Sequence, residues 1–365
     1  MILRNMKIIF VLPNMAGGGT ERVVANLANE FVNRNIDVDL LLFAGDTVVY
    51  PLDERVQIIS TGGSTGGNPL LRVKRIGDMR KHFRANSGCW VFCFSENSGI
   101  FTILAGLGLN YHMLVSERSD PTTISRKEQI LRNMAYRKAE HVVLQTNDIV
   151  KYFDDKIQSK ATVIPNPVGD NTPMPYDGVR TKRIVHAGRL QPMKNQKMLI
   201  EAFGIFLNRL QESEDELIRA DSYTLDIYGA GPLEEELKAW THEIKLDDRV
   251  VFHGFTSNVQ EAIRDAGMFV LCSNYEGVSN SMVEAMAMGI PTISTDCPVG
   301  GARMYIEDGV NGILTKVGDT EGLSEAMYRV ATDSRLASQL SENGPKIRER
   351  YGLDNIVNQF LDLIE

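Results

Sequence analysis

Residues 276–284 read EGVSNSMVE and follow directly on the apolar run MFVLCSNY. Two carboxylates, Glu276 and Glu284, flank a stretch that includes Gly277, Ser279, Asn280 and Ser281. At a helix start, such a stretch can take an anion on backbone N–H groups that lack an intrahelical partner. The two glutamates could then accept hydrogen bonds from hydroxyls. The same residues admit a structural reading, in which Ser281 and Glu284 form an S-x-x-E capping box and Glu276 is an exposed loop acid. A second set lies in HAGRLQPMKNQKMLIEAF (186–203), where Arg189 and Lys194 stand five apart. An arginine offers bidentate contact and a lysine a compact point charge, a pair suited to neutralising a pyrophosphate. Spacing alone does not separate that role from two surface cations. A third set, NMAGGGTERVV (14–24), contains Gly17 and Gly18. Glycines there let the backbone approach a phosphate at a helix N-terminus, or simply make a tight turn. The spacing is not the dinucleotide-binding G-x-G-x-x-G, which disfavours a nicotinamide oxidoreductase.

The elements that must position these residues alternate along the chain. The runs KIIFVLP, VDLLLF, VQIIS, WVFCF, HMLVS, HVVLQ and ATVIP fill the first half, and RIVHAG, LDIYG, VVFHG, MFVLC, PTIST and GILT the second. Most are continuous apolar strings, as strands covered on both faces should be, and helical stretches separate them. The expected fold is therefore α/β, with two Rossmann-like, doubly wound parallel-sheet domains facing a central cleft. The break is PNPVGDNTPMPYDG (165–178), rich in Pro, Asp and Gly. Domains are expected at 1–168 and 181–349, with a linker at 169–180. The stretch 350–365 reads as a C-terminal helix, and a return to the N-terminal domain is one course open to it. Every motif above follows a predicted strand end, where ligands of open α/β sheets bind.

The 365 residues are 43% hydrophobic and 24% charged, ordinary for a globular protein. No apolar run approaches the roughly 20 residues of a membrane span. The run Ile8–Leu12 is too short for the apolar core of a signal peptide and leads into glycines, so a cytoplasmic protein is expected. Cys89 and Cys93 share one strand and lie roughly 13 Å apart at about 3.3 Å per residue, too far to bridge. With Cys272 and Cys297 they read as buried structural thiols. The net charge of −8 hides an asymmetry: residues 1–168 carry 20 basic and 16 acidic side chains, the remainder 19 and 31.

GGGTERV, GRLQPMKN, IYGAGPLEEEL, EGVSNSMVEAMAMGIPTISTD and IEDGVNGIL, in this order, resemble the retaining GT-B glycosyltransferases of family 4. The resemblance covers nearly the whole chain. It implies that Arg189 and Lys194 neutralise the diphosphate of a nucleotide-sugar donor, with the N-terminal acceptor domain's Gly17 and Gly18 at the same group. It implies that Glu276 contacts the donor sugar, Glu284 holds the ribose hydroxyls, and the backbone of Gly277 and Ser279–Ser281 cradles sugar and phosphate. Phe255, after VVFHG, falls near the base-binding backbone. The implied reaction is same-face attack, with the leaving phosphate taking the acceptor's proton. The donor would be a UDP-sugar by family habit, carrying a hexose or N-acetylhexosamine. The acceptor would be a glycan or polyprenyl-diphosphate-linked sugar in bacterial cell-surface polysaccharide or glycolipid synthesis. No cofactor, metal or nucleic acid is implied. Two departures stand out. SERSDP (116–121) occupies the place where many members carry a histidine, leaving Glu117 and Arg118 as cleft candidates. Met304 stands where members often have glutamate.

TGGSTGGNPLLRVKRIGDMRKHFR (61–84) is a glycine loop followed by a helical pattern with Val73, Ile76, Met79 and Phe83 on one stripe. Arg72, Lys74, Arg75, Arg80, Lys81 and Arg84 make it basic. It is either a solvated helix or a surface for anionic lipid or a lipid-linked diphosphate, on the inner face of the plasma membrane. DVD (37–39) mimics a metal-binding D-x-D but begins a strand. A sugar-nucleotide epimerase and a non-catalytic sugar-binding protein are the rival readings.

Overall fold

The structure is a computed structural model that describes residues 6–62, 69–212 and 222–365. The chain divides into two compact units, the first Met1–Pro167 with Leu353–Glu365 and the second Val168–Gly352.

Among the described residues, the first unit holds a seven-stranded sheet of β1 (Lys7–Leu12), β2 (Asp37–Leu42), β3 (Gln57–Ser60), β4 (Trp90–Cys93), β5 (His112–Ser116), β6 (His141–Leu144) and β7 (Ala161–Val163). Its order is β3-β2-β1-β4-β5-β6-β7, and all pairs are parallel. Ile8 of β1 pairs with Val38 on one side and Trp90 on the other. The central strands are apolar at successive positions because helices cover both faces. Phe10, Phe31, Phe92 and Phe94 are buried, and Phe10 meets Phe92 edge-on at 5.5 Å between ring centroids. The helix Leu353–Leu361 joins this core: Phe360 lies 5.9 Å from Phe92, and Arg34 of the helix Gly19–Asn33 binds Asp354 and Asn358.

The second unit holds a six-stranded sheet of β8 (Arg183–Ala187), β9 (Thr224–Tyr228), β10 (Val250–Gly254), β11 (Met268–Leu271), β12 (Thr292–Thr295) and β13 (Ile313–Thr315). The order is β10-β9-β8-β11-β12-β13, again wholly parallel. Both sheets are doubly wound, the order reversing beside β1 in one and beside β8 in the other. The reversal matters because the loops leaving β8 and β11 then emerge side by side, carrying Arg189 and Lys194 on one and Glu276 on the other. Helix Gln196–Gln211 packs Phe203, Phe206 and Leu210 onto this sheet.

The segment expected as a linker is partly packed. Val168 N–H donates to the Tyr351 carbonyl at 2.7 Å, and Arg348 donates to the carbonyls of Thr172 and Pro173 at 3.1 and 2.5 Å. Within the aperiodic stretch 165–178, these bonds hold irregular backbone at Val168, Thr172 and Pro173. No helix among the described residues is long and apolar enough to cross a membrane.

Candidate functional site

The chain leaving β8 turns through Gly188 and Arg189, buries Leu190 and closes a 3-10 turn at Pro192–Lys194. Asn195 then takes a left-handed conformation, φ 50°, which asparagine tolerates, and starts helix Gln196–Gln211. Buried side chains hold this loop from below. Gln196 donates to the Arg189 carbonyl at 2.8 Å, and the same amide lies 3.3 Å from Nε2 of His186. His186 Nδ1 faces the Val270 carbonyl at 2.9 Å, so Nδ1 carries the proton and Nε2 accepts. Burial drives the His186 imidazole down to about 4; the nearby Lys194 charge adds to this and the Val270 hydrogen bond opposes it. The ring is therefore a neutral strut. Sequence reasoning missed it, because His186 reads as part of an apolar strand.

The loop leaving β11 is tied to the first. Asn195 Nδ2 donates to Asn274 Oδ1 at 2.9 Å, and Asn274 N–H to the Met193 carbonyl at 2.8 Å. The Cys272 thiol donates to the carbonyls of Lys194 and Asn195 at 3.1 and 3.3 Å. Burial pushes that thiol up to about 12, so it serves as a donor rather than a nucleophile. The other three cysteines are likewise buried. The consequence is that Lys194 Nζ and the Glu276 carboxylate, 82 residues apart, form an ion pair. Ser273 Oγ donates to the same Glu276 oxygen at 3.2 Å. Glu276 is thus not the ordinary loop acid of the structural reading. Asn195, within HAGRLQPMKNQKMLIEAF, and Asn274, in the run before EGVSNSMVE, gave no signal of their own.

The capping-box expectation is corrected. Helix Asn280–Ala287 is capped by Ser279, which makes no side-chain cap bond. Ser281 lies inside the first turn and donates to the Ala187 carbonyl at 2.8 Å, tying the helix start to the end of β8. Its hydroxyl also lies 3.1 Å from Ser279 Oγ. Glu284, one turn on, is buried at the helix's inner face. Gly277 and Ser279 are buried and Asn280 is half-buried. Two glycines outside these loops shape them. A Cβ on Gly301 would meet the Gly277 carbonyl oxygen at 1.5 Å, and one on Gly229 the Gly188 carbonyl oxygen at 2.0 Å. Only glycine permits those approaches. Arg189 is exposed, and Phe255, just past β10, is 68% exposed.

In the first unit, Gly17 takes φ 112°, which requires glycine, and Gly18 caps helix Gly19–Asn33 without a side-chain bond. Glu117 departs from the expectation of a cleft acid: it is buried and accepts from Tyr136 OH at 3.0 Å and Ser119 Oγ at 2.7 Å. Arg118 donates to Asn166 at 2.7 Å and stacks over Phe94. Asp39 of the D-x-D look-alike is bound by Lys7 at 2.6 Å and His82 at 2.7 Å. Burial raises its carboxyl, but those two hydrogen bonds outweigh burial and hold it below the usual carboxylate range. The basic helix, Pro69–Ala85, also differs from expectation. Val73 is exposed, while Arg75 is buried with Met79 and Phe83. Arg80 donates to the carbonyls of Ala105 and Leu107 at 3.0 and 2.6 Å. Arg72, Lys74, Lys81 and Arg84 remain exposed. Most of the preceding glycine loop, 63–68, lies outside the described residues.

Comparison with known proteins follows these two units. The family model described as Glycosyl transferases group 1 matches residues 178–347, and that described as Glycosyltransferase Family 4 matches residues 17–171. A Campylobacter jejuni protein named GalNAc-alpha-(1->4)-GalNAc-alpha-(1->3)-diNAcBac-PP-undecaprenol alpha-1,4-N-acetyl-D-galactosaminyltransferase is 25% identical over 98% of each chain. The lipopolysaccharide 1,6-galactosyltransferase of Escherichia coli is 26% identical over 87% of each. Among solved structures, Anabaena HepE in complex with UDP-glucose superposes with a TM-score of 0.80 at 18% identity, over 98% of this chain and 99% of the other.

Proposed function

Because the chain belongs to the group 1 glycosyltransferases of family 4 and has their GT-B fold, we propose that it moves a hexose or N-acetylhexosamine from a UDP-sugar with retention and without a metal. The observation that carries this reading is the meeting of Lys194 and Glu276 at the strand pair where the second sheet reverses. A cation for a diphosphate and a carboxylate for sugar hydroxyls are what a nucleotide-sugar site needs. Arg189 and Lys194 would oppose the charge on the departing diphosphate, aided by N–H groups at the start of helix Asn280–Ala287. Glu284 would take the ribose hydroxyls, Phe255 would lie by the base, and Gly17 and Gly18 would reach the diphosphate. The departing phosphate would accept the acceptor's proton, so no separate base is assigned.

For the acceptor we propose a glycan or polyprenyl-diphosphate-linked sugar of bacterial cell-surface synthesis. Support comes from the relative whose name specifies a PP-undecaprenol substrate and from the exposed cations of helix Pro69–Ala85. A cytoplasmic enzyme held peripherally at the inner membrane face fits that acceptor.

The test is nucleotide release from a panel of nucleotide sugars, with and without lipid-linked glycan. Lys194→Ala and Arg189→Ala should each lower turnover about 10²-fold or more, the scale of losing one charge stabiliser, with thermal unfolding little changed. Near-wild-type rates in both would sink the assignment. Donor conversion without nucleotide release would indicate an epimerase, and binding without turnover a sugar-binding protein.

A further inference from the structure

Lys194 already has an anionic partner from its own unit. The Glu276 carboxylate pairs with it, both side chains are largely shielded, at 13% and 17% exposure, and Ser273 Oγ steadies the carboxylate from the β11 side. A diphosphate that takes Lys194 must therefore share its ammonium with Glu276 or draw it away from that carboxylate. What becomes of Glu276 depends on the ligand. With an intact nucleotide sugar, the released carboxylate can turn to the sugar's hydroxyls. With the bare nucleoside diphosphate left after transfer, it has no such hydroxyls and faces a second anion across the same lysine.

We propose that Glu276 competes with the diphosphate for Lys194 and so sets the preference of the site for intact donor over spent nucleotide. The inference rests on the donor-site reading above. Specificity here is a difference between two affinities, and the carboxylate acts on both. It adds hydroxyl contacts to the donor and removes a cation from the product. After sugar transfer, re-pairing of Lys194 with Glu276 would favour departure of the diphosphate. The loops are held for this exchange by Asn195–Asn274 and the Cys272 thiol, so only the two charged side chains need move.

The experiment is calorimetric titration of the full chain with UDP, GDP and ADP, and with the matching nucleotide sugars, for wild type, Glu276→Gln, Glu276→Ala, Lys194→Ala and the double variant Lys194→Ala with Glu276→Gln. The preferred diphosphate should bind Glu276→Gln and Glu276→Ala about tenfold tighter than wild type, while the corresponding nucleotide sugar binds more weakly. In the Lys194→Ala background, adding Glu276→Gln should lose most of that gain. Unchanged or weaker binding of the diphosphate to both Glu276 variants, with wild-type melting curves, would overturn the proposal. A variant that fails to melt like wild type is replaced by the other, and the comparison with Lys194→Ala stands on either. Absence of binding by every diphosphate and every nucleotide sugar to wild type would instead remove the donor-site reading itself.

Discussion

His186 is a base that the fold keeps uncharged. Nδ1 is committed to the Val270 carbonyl, Nε2 to Gln196, and Gln196 in turn holds the carbonyl of Arg189. Above the ordinary histidine value of 6.5, folded and unfolded chains both hold the ring neutral, and stability does not depend on it. Between 6.5 and about 4 only the unfolded chain takes the proton, so stability falls as pH drops through that window. The full loss is on the order of 3 kcal/mol, from the scale of about 1.36 kcal/mol per pKa unit. His186→Asn should cost about 1–3 kcal/mol at pH 7 by disturbing the strut, yet flatten the pH dependence between 7 and 4.5. Urea unfolding of both proteins at several pH values reads this directly; parallel curves for the two would show that another group carries the acid sensitivity. Nothing in the run RIVHAG announces such a role. A buried histidine in an apolar strand becomes meaningful only when the register of β8 beside β11 sets it against Val270.

At the scale of elements, the strands were legible because parallel strands covered on both faces must be apolar at successive positions, as β1, β4 and β11 are. The facing of a helix was harder. Periodicity put Val73, Ile76, Met79 and Phe83 inward on helix Pro69–Ala85; Met79 and Phe83 are buried and Ile76 half-buried, but Val73 is exposed and Arg75 joins the inner row instead, at i, i+4 and i+8 with Met79 and Phe83. A long arginine stem can lie along apolar surface, so a charge in the sequence does not always mark the wet face. The correction sharpens the membrane prediction. Only Arg72, Lys74, Lys81 and Arg84 are placed to meet lipid, with Leu70 and Val73 exposed among them. At about 1 kcal/mol per basic residue near an anionic surface, replacing all four by alanine should lower partition onto phosphatidylglycerol vesicles by more than tenfold. Arg75→Ala should lower the melting temperature instead. Equal sedimentation of wild type and the fourfold variant would dismiss this face. Helix starts were similarly ambiguous: S-x-x-E sits within the first turn of helix Asn280–Ala287, and at Ser125–Glu128 the same pattern is a true capping box.

For the molecule as a whole, composition changes near residue 168, and a return of the helix at 350–365 to the first unit was one course open to it; its packing there could not be read from the sequence. Leu353, Ile356, Val357, Phe360 and Leu361 are all buried, and Phe360 reaches Phe92 and Phe94. A sequence shows such a helix as amphipathic without showing which sheet it will cover. Phe360→Ala should cost about 3–5 kcal/mol, the usual range for a buried aromatic. Hydrogen exchange should then quicken in β1 and β4 and leave β8 and β11 at their original protection. Equal acceleration in both sheets would mean that the loss is not local to the first unit.

The placement of helix Leu353–Leu361 also orders events at the ribosome. Residues 6–167 leave the exit tunnel first, yet the aromatic cluster they contain lacks Phe360 until the whole of 168–352 has followed. The second unit can close while the first still waits with Phe92 and Phe94 incompletely covered, reversing the usual N-to-C sequence of domain completion. A stop codon within helix Leu353–Leu361 would thus spare the unit made just before it and strike the one whose strands were made first.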